Sequence, residues 1–175
     1  MKIEIKNRWS GELIFSVETD NWKLAVEAAI KANADLSYAN LSFADLSSAD
    51  LRFANLRFAK NLPEWYINLC SRDMLFVFQH LKAELPYLRD KLVKGQVDGT
   101  QYEGDCACLI GTLGKADGGV DKVCTMIPYY DKGLHNYGEM WFFQIKQGDT
   151  PKNNQFAKHA LLLLDSVLKP KGKKK

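Results

Sequence analysis

Long apolar runs are missing from this chain. Five adjacent apolar residues at 160–164 fall far short of the about 20 that a membrane-spanning helix needs. Residues 1–6 alternate charged and apolar side chains, so the chain opens without the apolar stretch of a secretory signal. Both absences lead to the expectation of a cytoplasmic protein with no membrane contact. Cysteine is scarce too. Four in 175 residues make no disulfide framework, and free thiols are expected. Gly111, Gly114, Gly118 and Gly119 are scattered without the strand–turn–helix spacing of a P-loop or a dinucleotide fingerprint, so no cofactor is expected. Excess charge of one sign is also small. The formal net charge is +3, but five lysines lie in the last seven residues, and without them the body carries −2. Residues 169–175 therefore read as a disordered basic tail, whose functional reading is weak contact with nucleic acid or an acidic partner.

What is present suits a globular protein: 46% hydrophobic and 26% charged residues. Residues 2–6 and 12–17 alternate as strands do, around a turn-rich stretch at 7–11, which predicts a β-hairpin with a five-residue loop. Asp20 or Asn21 is placed to cap a helix over 22–32, with Trp22, Leu24, Ala25, Ala28 and Ala29 toward the core.

The period then changes to five. Leu36, Leu41, Leu46, Leu51 and Leu56 recur without exception, and Ala34, Ala39, Ala44, Ala49 and Ala54 each sit two residues earlier, with Asp or Asn between. A five-residue period matches neither helix nor strand. On a helix, five residues turn the chain by about 500° and would spread leucine over every face. A fixed short period indicates a solenoid. The pattern A-[DN]-L-x-x in five unbroken copies at 34–58 resembles the pentapeptide repeat family. The resemblance implies a right-handed quadrilateral β-solenoid of just over one coil. Leucine and alanine would point inward, and the Asp or Asn would bond nearby backbone. It also implies that the last position of each repeat faces outward, placing Tyr38, Phe43, Phe53 and Phe58 outside. Arg52 and Arg57 make the final edge more basic. So short a coil needs caps, expected from the hairpin and helix at one end and from residues beyond 63 at the other. The opening of the chain followed by these repeats is also similar to phage and prophage pentapeptide proteins.

Beyond the repeat the pattern is mainly helical. Residues 64–70 suit one or two turns. Residues 73–81 suit a buried strand or a helix, as do 139–145. A helix is expected at 83–93 with Pro86 in its first turn and Gly95 past its end. Another is expected near 106–115, capped by Asp105. Thr150 followed by Pro151 reads as the start of a last helix running to about 168, with Phe156, Ala160, Leu163, Leu164 and Val167 inward. The fold class is thus α+β, arranged as a hairpin, helix and repeats over 1–62, a mainly helical region over 63–168, and the tail.

Cys106 and Cys108 are the candidate nucleophiles. A helix start would lower their pKa, and His80, His135 or His159 would serve as the base. The same cysteines with Cys124 and His135 do not match standard zinc spacing, because one residue separates the first two, and no metal is expected. The leading expectation is a non-enzymatic accessory protein that binds a host protein. If phage-encoded, its target would be a CRISPR, restriction or nuclease defence component. Its aromatic repeat face would be covered by the C-terminal half, by a partner or by a second copy in a homodimer. One alternative is a cysteine-dependent enzyme. Another is a DNA mimic acting on a DNA-binding enzyme, which the short repeat and the near-neutral body disfavour.

Overall fold

The computed structural model describes residues 1–36, 38–41, 55–57, 59, 62–101, 108–128 and 136–169. The chain divides into two compact units, Met1–Asn68 and Leu69–Lys175. No described helix is long and apolar enough to cross a membrane.

In the first unit, β1 (Lys2–Lys6) and β2 (Leu13–Glu18) pair antiparallel, with Ile3 opposite Val17 and Ile5 opposite Phe15. Alternation puts Ile3 and Ile5 in the core while Lys2 and Lys6 stay outside. The register shifts between Ile5 and Lys6, so that Lys6 pairs with Leu13, and the loop spans 7–12 rather than 7–11. Asn7 holds that loop, its side chain accepting from the N–H groups of Trp9 (2.8 Å) and Ser10 (3.2 Å). Gly11 takes a left-handed φ of 72°.

The helix α1 (Trp22–Lys31) starts where Asn21 accepts from the Leu24 N–H at 3.0 Å. It packs on both strands through Ala25, Val26 and Ala29. Leu24, expected inside, is exposed. With 22, 25, 26 and 29 forming the i, i+3, i+4, i+7 stripe, position 24 falls nearly opposite. The helix ends at Asn33, whose φ is 54°. Its N–H bonds the Ile30 carbonyl at 3.0 Å, and that of Ala34 bonds the Ala29 carbonyl at 2.9 Å. This is a Schellman stop with asparagine in the left-handed position. It delivers the chain directly into the five-residue period, where Leu36, Ala39, Leu41, Leu56 and Ala59 are all buried.

A single helix, α2 (Glu64–His80), replaces the two segments expected over 64–81. Tyr66, Cys70, Met74, Val77 and Phe78 are buried on it at helical spacing. Helices α3 (Leu85–Val93), α4 (Leu109–Ala116), α5 (Val120–Met126), α6 (Tyr137–Phe142) and α7 (Gln155–Leu168) follow. The helix α3 matches expectation, with Pro86 in its first turn and Gly95 at φ 68° beyond its end. The helix α4 begins at Leu109, and Cys108 is its cap; Asp105 lies outside the described residues. The segment left undecided at 139–145 holds α6, and α5 was not foreseen.

The helix α7 begins at Gln155, four residues later than Pro151, because Thr150 and Asn153 close a turn of their own. The Thr150 N–H reaches the Asn153 side chain at 2.7 Å, and the Asn154 N–H the Thr150 carbonyl at 3.0 Å. Asn154 is the true cap. Its Oδ1 accepts from the N–H groups of Phe156 (2.8 Å) and Ala157 (3.0 Å). Its amide donates to the Gln144 carbonyl (3.0 Å) and to Asp149 (2.9 Å). Trp141 locks α6 to α7 by donating to the Phe156 carbonyl at 2.9 Å.

Candidate functional site

The repeat can be built from its turns. The Ala39 N–H bonds the Leu36 carbonyl at 3.1 Å, and the Ala59 N–H bonds the Leu56 carbonyl at 2.9 Å. The same turn therefore recurs twenty residues apart, with leucine opening it and alanine closing it, both buried. Ala59 keeps the phase where the leucine period breaks. In the first turn Tyr38 has a φ of 63°, a left-handed conformation uncommon for an aromatic residue. Its side chain is 37% exposed, between the buried Leu36 and Ala39. In the second turn Asn55 accepts from the Arg57 N–H at 3.3 Å, the backbone-bonding role expected of the Asp or Asn position. Arg57 is half-buried. Phe43, Arg52, Phe53 and Phe58 lie outside the described residues, as do Leu46, Leu51 and the alanines at 44, 49 and 54.

The hairpin tip is fastened to the first of these turns. The Arg8 N–H donates to the Tyr38 carbonyl at 2.9 Å, the Asn40 N–H donates to the Lys6 carbonyl at 3.0 Å, and Asn7 bridges Ala39 antiparallel. This brings Arg8 beside Tyr38. Trp9 is 70% exposed. The Arg8 guanidinium sits 4.9 Å from the centre of the Trp9 ring. Its Nε is buried without a hydrogen-bond partner. Burial lowers the Arg8 pKa, and the nearby Tyr38 acts in the opposite sense. Neither Arg8 nor Trp9 was singled out from the sequence. The available signal was a tryptophan in the middle of a turn-rich loop, where a large ring has little to bury against.

The family model described as pentapeptide repeats (8 copies) matches residues 32–60. The chain carries pentapeptide repeats. The matched span is about a sixth of the chain and has room for fewer than six of the model's eight copies. No curated protein and no solved structure matches the chain.

Outside the pentapeptide segment, Cys108 is buried at the start of α4 and caps it, its Sγ accepting from the Gly111 N–H at 3.4 Å. The buried Glu139 on α6 accepts from the Ile110 N–H at 2.9 Å, so two side chains satisfy this helix end. Burial first, and then the carboxylate of Glu139, push the Cys108 thiol well above its ordinary value. The expectation of a pKa lowered by the helix start is therefore reversed. Removal from water and a neighbouring negative charge outweigh the helix dipole. Cys106 and His135 lie outside the described residues. The His80 ring bonds the Phe76 carbonyl at 2.8 Å. Among the described residues no group of three or more His, Cys, Asp or Glu is placed to hold a metal.

One further pair has catalytic residue types. Ser71 Oγ on α2 lies 2.7 Å from His159 Nε2 on α7, and the His159 ring leans on Trp141 at 4.8 Å. Burial lowers the His159 pKa. Ser71 sits in the interior of a helix, where backbone N–H groups are committed to carbonyls one turn back and cannot form an oxyanion site. A groove of about 530 Å³ along α2 is lined by Leu69, Arg72, Asp73, Phe76 and Tyr137 among others, but by neither Ser71 nor His159. The pair serves as a bond between two helices.

Proposed function

We propose that this chain is a non-enzymatic protein-binding module built on a short right-handed four-sided β-solenoid. In this reading Leu36 and Leu56 lie one coil apart on the same side, and Tyr38, Phe43, Phe53 and Phe58 stand outside the coil with Arg52 and Arg57. One observation carries the reading. The closing residue of the first repeat, Tyr38, is turned outward by a left-handed backbone while its neighbours Leu36 and Ala39 are buried. Repetition of the Leu36–Ala39 turn at Leu56–Ala59 supports extending that geometry to the repeats between. Aromatic rings presented by a rigid frame suit protein contact. The protonated, buried Cys108 favours binding over cysteine catalysis. A body charge of −2 without the lysine tail is too weak for a DNA mimic. The narrower reading is a cytoplasmic, phage-encoded protein directed at a host defence component. It draws on the likeness of the opening to phage pentapeptide proteins.

The test is capture of a partner from host extract by the tagged chain, compared with a variant in which Tyr38, Phe43, Phe53 and Phe58 are all serine. Loss of the captured protein from a variant that keeps its circular dichroism is the expected result. Equal capture by both chains would remove the repeat face from the account.

A further inference from the structure

We propose that Arg8 and Trp9 at the hairpin tip, with Tyr38 beside Arg8, form a docking surface for a protein segment that presents a carboxylate next to an apolar or aromatic side chain. This rests on the protein-binding reading above and names the partner chemistry for it.

Three observations converge on this surface. The tip is rigid. The Asn7 side chain holds the Trp9 and Ser10 N–H groups, and the Arg8 N–H is tied to the Tyr38 carbonyl, so little ordering remains to be done on binding. The tip also lacks an anion. Arg8 makes no ion pair among the described residues, and its Nε is buried without a partner. The neighbouring acids are engaged elsewhere, Glu4 with Lys2 and Lys6 at 2.9 Å each, and Glu12 with Ser10 Oγ at 3.0 Å. A guanidinium already partly removed from water gains most from a carboxylate that its planar fork can grip. Finally, the surroundings are apolar and open. Trp9 is 70% exposed, and Leu13, paired with Lys6 at the base of the loop, is 53% exposed. Tryptophan, tyrosine and arginine are the residues that dominate protein interfaces.

Other occupants fit less well. Residues 1–68 hold eight Lys and Arg against nine Asp and Glu, so no basic stripe accompanies the rings as nucleic acid requires. A symmetric contact with a second copy would bring one Arg8 toward the other.

The test uses the full-length chain against an array of 12-residue peptides, each with one central Glu and varied apolar or aromatic flanks. Every peptide has a twin with Gln and a twin with Lys at the centre, and a 12-nucleotide oligo-dT is a separate arm. The expected result is binding that prefers Glu over its Gln twin by about tenfold or more, weakens by a similar factor in Arg8→Gln and in Trp9→Ala, and falls with salt. Arg8→Glu should then recover binding to the Lys twins. Arg8→Lys keeps the charge and the packed stem, and serves if Arg8→Gln does not fold. It should lose at least about threefold, because an ammonium lacks the fork. Equal binding of Glu and Gln twins, or oligo-dT binding tighter than every peptide, overturns the inference. So does a concentration-dependent dimer abolished by Arg8→Gln. If peptide binding survives Arg8→Gln and Trp9→Ala but is lost when Tyr38, Phe43, Phe53 and Phe58 are serine, this inference falls while the protein-binding reading stands.

Discussion

Burial displaces the protonation equilibria of a few side chains in this protein from those in water, and each displacement leaves a measurable trace. Cys108 is held as the thiol by burial and by Glu139. At pH 7.5, iodoacetamide should therefore label it at least about tenfold more slowly than the half-buried Cys124, as read by peptide mass spectrometry. Rapid labelling of Cys108 would reopen the cysteine enzyme. His159 is held below its ordinary 6.5 by burial. The fold prefers the neutral ring, so this group's stabilisation is complete above about pH 6.5 and is lost as pH falls through the lower folded value. Urea melts should show stability dropping between pH 7 and 5, and His159→Gln should flatten that drop. Asp73 is shifted the other way. Burial raises its pKa although the Gly138 N–H bonds it at 2.7 Å. Its contribution is full below about pH 3.8 and fades as pH rises through the folded value, so Asp73→Asn should gain relative stability from acid to neutral pH. Gly99 acts through space instead. A Cβ there would collide with the Phe142 carbonyl, and Gly99→Ala should cost about 3 kcal/mol or more in a thermal or urea melt.

The elements differ in how plainly the sequence announces them. Ile3 and Ile5 alternate, Asn21 precedes an apolar stripe, and Pro86 and Gly95 bracket α3. In each case the local chemistry agrees with the final structure, and the element was legible. Residues 73–81 were not, because a short apolar run buries equally well as strand or helix. Joining it to 64–70 through Cys70 and Met74 is a decision made by packing. At 148–155 two capping signals compete. The pair Thr150 and Pro151 looks like a helix start, but Asn153 closes that turn and Asn154 begins the helix, anchored by four buried bonds that no local pattern reveals. Asn154→Ala removes the cap and leaves buried partners unsatisfied, so a loss of about 2–3 kcal/mol is expected, measured as a lower urea midpoint with an unchanged slope. Of the candidate site, the exposure of Tyr38 agrees with the outward position that the resemblance to the repeat family implies. Arg8 was not legible, since the burial of its Nε without a partner is a property of the folded surroundings.

At the scale of the whole molecule, the charge is divided between a near-neutral body and a lysine-rich end. Removing residues 169–175 changes the formal charge from +3 to −2. Any retention of the intact chain on immobilised DNA should fall steeply with salt and vanish on this deletion, while peptide capture at the hairpin tip stays the same. Retention unaffected by the deletion would point to a nucleic-acid surface on the body.

The bonds that join the hairpin to the repeat also bear on polymerisation. A ladder of stacked turns ends in bare amides and carbonyls, which can recruit the next molecule and seed a filament. Here the Tyr38 carbonyl is taken by Arg8 and the Asn40 amide by Lys6, so these two backbone groups are closed to a strand from a neighbouring molecule.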